Sequence, residues 1–271
     1  MSTRTVAFFV PPTVVDEAPG VTIRRTIGGE RMVLLDPILL CDHLYMAPRP
    51  EPMGFHRHPH RGIETLTFVF SGTVNHKDSI GNDSTVTAPT AQWMRAGNGI
   101  WHEEMLIAGN EPTEALQLWL NLPQTLKRTA PQYQAADQLP QVSYPSGTVT
   151  LVSGTFEGVN GPLSSIAVQP FLAIAKFDQD GTLRVPTAAN DTAAVSIIRG
   201  QINDHEGPGL VVFTDGTELE LQGSAGTLAV IIVAPKLNEP VMQYRSFVMN
   251  TAEDIAETLA MIHANRFGTG D

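Results

Sequence analysis

Eight histidines occur in the 271-residue chain, and three of them stand within five positions, in Phe55-His-Arg-His-Pro-His60. On an extended segment, residues two apart point the same way. His58 and His60 therefore face together, and Glu64 shares their parity. Downstream, Gly97-Asn-Gly-Ile-Trp-His-Glu-Glu104 places Glu104 two positions after His102 on one face. Glu103 points the other way. Two imidazoles from one strand, with an imidazole and a carboxylate from another, can surround one divalent ion. Such borderline-to-hard donors suit Fe(II), Mn, Ni, Cu or Zn. Positions left open on the ion would take water, O2 or substrate. The single cysteine, Cys41, argues against a closed structural zinc site.

Strands must hold these residues. Short runs rich in β-branched and aromatic residues recur between turn residues: Thr5–Val10, Glu64–Phe70, Glu114–Leu122, Thr148–Phe156, Phe171–Asp178, Ala193–Ile202, Gly209–Thr214, Glu218–Leu221, Thr227–Val233 and Val241–Met249. Many short strands at close spacing predict a sandwich or barrel. Leu116, Leu118, Leu120 and Leu122 alternate on one face of their strand, with Gln117, Trp119 and Asn121 on the other. One segment reads as a helix, near the end of the chain. Asn250 or Thr251 can cap it, Glu253 and Asp254 suit its first turn, and Ile255, Leu259 and Ile262 recur at helical spacing. Gly268 is a stop signal.

Between Lys127 and Gly147 periodicity is lost and Pro131, Pro140 and Pro145 intervene, which predicts a linker between two β-rich halves. The halves echo each other. Phe68-Val-Phe-Ser-Gly-Thr-Val-Asn75 parallels Ser196-Ile-Ile-Arg-Gly-Gln-Ile-Asn203, each an apolar strand broken by glycine. Two barrels of related shape are expected.

Composition narrows the function. A 42% hydrophobic content supplies a core, and a net charge of −11 disfavours direct nucleic-acid or anionic-membrane binding. The apolar run Val6–Val10 is ended by Pro11 and Pro12 before signal-peptide length, and the run from Leu228 to Pro235 is far short of a membrane span. A cytoplasmic protein is expected, and the lone cysteine implies no oxidising compartment.

The stretch from Gly54 to Met105, with HPHRGIET and QWMRAGNGIWHEEM, resembles the signature of the pirin family of the cupin superfamily. Leu116-Gln-Leu-Trp-Leu-Asn-Leu122, Glu239-Pro-Val, and the ending Phe247-Val-Met-Asn-Thr251 with Asn265-Arg-Phe-Gly268 are similar to pirins too. The resemblance implies an all-β bicupin: two jelly-roll β-barrels with a short C-terminal helix. It implies a metal-binding N-terminal domain over 1–134 and a C-terminal cupin domain without a metal site over 145–271. By motif, the family's ligands fall on His58, His60, His102 and Glu104, with Fe(II) as the expected ion. Glu64, a ligand in many other cupins, becomes a buried acceptor or a partner to the ligands. His56 lies outside the family motif, and His76 could hydrogen-bond near the site.

If Gly200 matches Gly72, the places of His58 and His60 fall near Pro186 and Ala188, so the second barrel is expected to be metal-free. Met46, Met53, Phe55, Phe68, Trp93, Trp101 and Trp119 are candidates to line a pocket, with Phe55 and Trp101 favoured because they adjoin the ligands. Pirin-like proteins of bacterial type include quercetin 2,3-dioxygenases. The activity implied is therefore opening of a small aromatic, flavonol-like substrate by O2 with release of carbon monoxide, Glu104 serving as ligand and proton acceptor. The alternative is a redox-responsive iron-binding regulator acting through a protein partner.

Overall fold

The structure is a computed structural model and describes residues 2–29, 35–107 and 109–268. The chain divides into two units, one comprising Met1–Thr13, Arg24–Thr26 and Gln138–Lys236, the other Val14–Ile23, Ile27–Asp137 and Leu237–Asp271.

In the unit that carries the candidate ligands, one sheet has the strand order Gln132–Ala136, Thr90–Arg95, Ile63–Ser71, Thr113–Asn121, Ile38–Met46, Thr22–Ile27, Thr13–Val15. A second sheet has the order Met53–His60, Ile100–Leu106, Thr73–Asp78, Asp83–Thr87. The other unit repeats this plan. Its large sheet runs Val6–Val10, Gly209–Phe213, Thr192–Arg199, Leu228–Ala234, Phe171–Phe177, Gly147–Ser153, Gln141–Tyr144. Its small sheet runs Gly181–Pro186, Glu218–Gly223, Gln201–Ile202, His205–Glu206. Two jelly-roll barrels with one C-terminal helix make an all-β bicupin.

The internal echo marks the same corner in both barrels. Gly72 (φ 73°) and Gly200 (φ 82°) each stand where the chain leaves the large sheet for the small one. A Cβ there would run into Thr113 or Thr227, and the left-handed backbone excludes most side chains. Glycine is required on both counts.

The structure differs from a colinear division into 1–134 and 145–271 at both ends. Val6–Val10 pairs with Gly209–Phe213 and fills the edge position that Gln132–Ala136 fills beside Thr90–Arg95. Residues 237–268 join the unit that carries the candidate ligands. Val248 packs with Ile63, Met94, Ala96 and Ile100, and Phe247, Met249, Ile255 and Phe267 form a further buried cluster. Burial of these apolar side chains, worth roughly 1.5–3 kcal/mol each, places the tail there.

The segment 127–147 is not a bare linker, since it contributes Gln132–Ala136 to one barrel and Gln141–Tyr144 to the other. The helix spans Ala252–His263. Thr251 is its cap, in a reciprocal capping box with Asp254. It ends before Gly268, and among the described residues no helix is long and apolar enough to cross a membrane.

Candidate metal centre

Antiparallel pairing of Met53–His60 with Ile100–Leu106 sets His58 opposite His102. The register then slips, so that Glu104 faces Phe55. On its other edge the same strand sets His102 opposite Asp78 and Glu104 opposite His76. Burial alternates along it: His102 and Glu104 are buried, whereas Trp101 and Glu103 are only half-buried. The two adjacent glutamates therefore lie on different faces.

The rings of His58, His60 and His102 converge. Each offers one nitrogen within 4.8 Å of the other two. His58 Nε2 lies 3.0 Å from His60 Nε2 and 3.1 Å from His102 Nε2. His58 Nδ1 is 2.7 Å from the His56 carbonyl oxygen, and His60 Nδ1 is 3.4 Å from that of Ser246. A carbonyl only accepts, so Nδ1 carries the proton on both rings and both Nε2 atoms present lone pairs. His58 and His60 thus oppose each other lone pair to lone pair. A cation between them turns that repulsion into coordination, and the three residues fit a divalent transition metal. Buried His102 Nδ1 has no partner among the described residues.

Glu104 lies outside this tight trio. Both of its hydrogen bonds fall on Oε1: Thr67 Oγ1 donates at 2.9 Å and Gln92 Nε2 at 2.5 Å. Oε2 accepts no hydrogen bond among the described residues.

Burial lowers the pKa of His58, against the opposing His56 carbonyl and Glu104. Burial, aided by the neighbouring imidazoles, holds His60 and His102 well below the ordinary range. The unfolded chain takes up protons near pH 6.5 while the native trio does not. This contribution to stability is therefore complete above about pH 6.5 and is lost as pH falls towards the native values. The thermal midpoint of metal-free protein should stay level from about pH 8 to 7 and fall steadily below about 6.5. A midpoint that rose on acidification would contradict neutral, buried ligands.

Around the trio, Trp119 stands edge-on to His60 at 4.9 Å, and Phe55 lies 6.3 Å from His58. Trp101 turns away. Its Nε1 donates to the Phe267 carbonyl oxygen at 3.1 Å, and it lines an outer cleft of about 300 Å³ with Arg57 and Phe267. Phe68 and Trp93 are core residues. Glu64 is fully buried and accepts from Arg95 Nε at 3.0 Å. The side chain of His56 is exposed, and only its carbonyl serves the site. His76 is buried, 3.0 Å from Asp78 Oδ2 and stacked on Tyr133 at 4.3 Å.

Sequence reading missed Thr67, Gln92 and Tyr133, which reach the site from three strands. Gln117, on the polar face of the leucine-patterned strand, sets its Oε1 3.0 Å from Thr67 Oγ1 as a competing acceptor for the one hydroxyl proton; that alternation was the available signal. It also missed Arg61 and Lys127. Buried Arg61 donates to Asn98 Oδ1 at 2.6 Å and Thr258 Oγ1 at 2.8 Å, tying the ligand strand to the helix. In the other barrel, Pro186 and Ala188 are exposed. The equivalent strands bury Leu183 and Val185 opposite Leu221 and Leu219.

Comparison with known proteins matches residues 20–120 to the family described as Pirin and residues 173–268 to the Pirin C-terminal cupin domain. Pirin of Rattus norvegicus is 33% identical, over 95% of this chain and 91% of its own. The crystal structure of quercetin 2,3-dioxygenase from Acinetobacter baumannii superposes with a TM-score of 0.87 at 27% identity, covering 99% of each chain. A bacterial pirin from Escherichia coli in complex with nickel(II) has a TM-score of 0.67 at 18% identity, covering 84% of this chain and 99% of its own, a likeness of fold alone.

Proposed function

The chain belongs to the pirin family, and from that membership and its three convergent imidazoles we propose that it is a metal-dependent dioxygenase that opens flavonols such as quercetin with O2 and releases carbon monoxide. The opposed lone pairs of His58 and His60 carry the metal part of this reading. Likeness to the Acinetobacter dioxygenase over almost the whole chain supports the reaction. We assign His58, His60, His102 and Glu104 as the ligands and Fe(II) as the ion.

A bound divalent ion supplies a Lewis acid for the flavonol 3-oxygen and lowers the pKa of its hydroxyl. Glu104 Oε2, the oxygen without a donor among the described residues, serves as ligand and as acceptor of that proton in turn. Trp119 and Phe55 offer ring surface beside His60 and His58, suited to a planar aromatic. His58 is the only half-buried member of the trio, so a ligand approaches from its side.

Protein loaded with Fe(II) should consume O2, bleach the visible absorption of quercetin and release carbon monoxide in step with substrate loss. Metal-free protein and His60→Ala should be inactive, and a flavone lacking the 3-hydroxyl should not react. Turnover without carbon monoxide, or reproduced by free iron, would refute the assignment. Loaded protein with no turnover would favour a redox-responsive regulator that acts through a protein partner.

A further inference from the structure

We propose that Tyr133, acting through Gln92, is a positioning residue that decides which oxygen of Glu104 is presented to the metal. This rests on the reading of Glu104 as a ligand.

Tyr133 comes from the edge strand Gln132–Ala136, where it lies opposite Met94. Gln92 is two residues from Met94 and on the same face. The Tyr133 hydroxyl donates to Gln92 Oε1 at 2.9 Å. A side-chain amide has one accepting end and one donating end. The acceptor-only carboxylate of Glu104 calls for the NH2 end, and the Tyr133 hydroxyl braces that orientation by donating to Gln92 Oε1 at the other. The NH2 group donates to Glu104 Oε1 at 2.5 Å and approaches Thr67 Oγ1 at 3.4 Å. Thr67 Oγ1 lies 2.9 Å from the same carboxylate oxygen and shares its one proton between it and Gln117. Glu104 Oε1 is thereby engaged and Oε2 is the atom left for an ion.

Without the tyrosine hydroxyl, Gln92 Oε1 loses its donor and the amide is anchored at one end only. Its grip on Glu104 Oε1 then loosens, and the carboxylate is free to rotate. The Tyr133 ring is fixed independently, stacked within 14° of parallel on His76, which Asp78 holds in turn. Burial pushes the Tyr133 hydroxyl up to about 12, so it keeps its proton at neutral pH. Tyr133→Phe therefore removes one oxygen atom and keeps the stack.

The test is titration of Co(II) into metal-free full-length protein against a competing chelator, with visible spectra and thermal midpoints in parallel. Wild type, Tyr133→Phe, Gln92→Leu, Glu104→Gln and the double variant Tyr133→Phe/Glu104→Gln are compared. Partners that orient metal ligands typically account for ~10–100-fold in affinity. Tyr133→Phe and Gln92→Leu should each lose affinity in that range and alter the Co(II) absorption bands. In the Glu104→Gln background, Tyr133→Phe should cost nothing more, because residues acting through one group are not additive.

Wild-type affinity and spectrum in Tyr133→Phe would overturn the proposal, as would an equal loss in both backgrounds. If Glu104→Gln itself binds like wild type, the ligand reading falls and the proposal falls with it. Should Gln92→Leu not fold, Tyr133→Phe alone decides.

Discussion

Replacing His102 by alanine should empty the metal centre. His102 is the only trio member on Ile100–Leu106, and its Nε2 closes the group against His58 at 3.1 Å. Structural zinc sites of four ligands in finger peptides bind with apparent energies of ~10–16 kcal/mol, which scales to roughly 3 kcal/mol, or ~10²-fold in affinity, for one ligand. Elemental analysis after dialysis against a chelator that wild type just outcompetes should find about one ion per chain in wild type and almost none in His102→Ala, and carbon monoxide release should disappear with the metal. The fold should survive, because the neighbouring strands keep their ladders. Glu103→Gln is the matched control. It lies on the opposite face of the same strand, and such a change usually shifts stability by less than ~0.5 kcal/mol. Retention of the ion by His102→Ala, or its loss from Glu103→Gln, would place the strand in the wrong register.

The convergence of His58, His60 and His102 was legible because it depends on strand parity, a period of two that the sequence displays directly. Parity survives the slip between His102 and Glu104 because the strand ladder to Thr73–Asp78 stays in register there. The same rule, applied to Trp101, would have excluded it: a neighbour of His102 along the strand must face away. Adjacency to a ligand is not proximity to the metal.

Other features leave no local trace. Tyr133 reaches Gln92, and Gln92 reaches Glu104, only because distant strands are laid side by side, which no short window encodes. The edge strand Gln132–Ala136 is brief and follows Pro131, so its segment reads as a linker. The crossing of the two termini is likewise non-local. The apolar pattern of Phe247–Met249 says that the strand is buried but not in which barrel. The mapping of His58 and His60 onto Pro186 and Ala188, by counting back from Gly200, assumed equal loop lengths. The buried positions are Leu183 and Val185.

Lys127→Met should destabilise the ligand-bearing barrel and loosen its centre together. Lys127 is buried, and its Nζ donates to three oxygens: Asn121 Oδ1 at 2.6 Å, the Val248 carbonyl at 2.8 Å and the Gly62 carbonyl at 2.9 Å. Three donors on three acceptors is the geometry of an ammonium. Burial opposes it and lowers the pKa to about 7. Methionine keeps the length of the side chain and removes every donor. Gly62 O retains the Leu122 amide at 3.3 Å, whereas Asn121 Oδ1 and Val248 O lose this donor. Each buried acceptor left unmet costs ~1–3 kcal/mol, so a net loss of about 3 kcal/mol and ~6–12 °C in thermal midpoint is expected. The damage should not stay local. Val248 lies two residues from Ser246, whose carbonyl faces His60 Nδ1, and Val248 N donates to the Arg61 carbonyl at 3.0 Å. A tail released at Val248 removes the group that orients His60. Hydrogen exchange over residues 242–268 should therefore accelerate and metal affinity should fall, at temperatures where the rest of the barrel remains protected. Unchanged exchange in that segment with a lowered midpoint would mean that Lys127 stabilises the barrel without holding the tail.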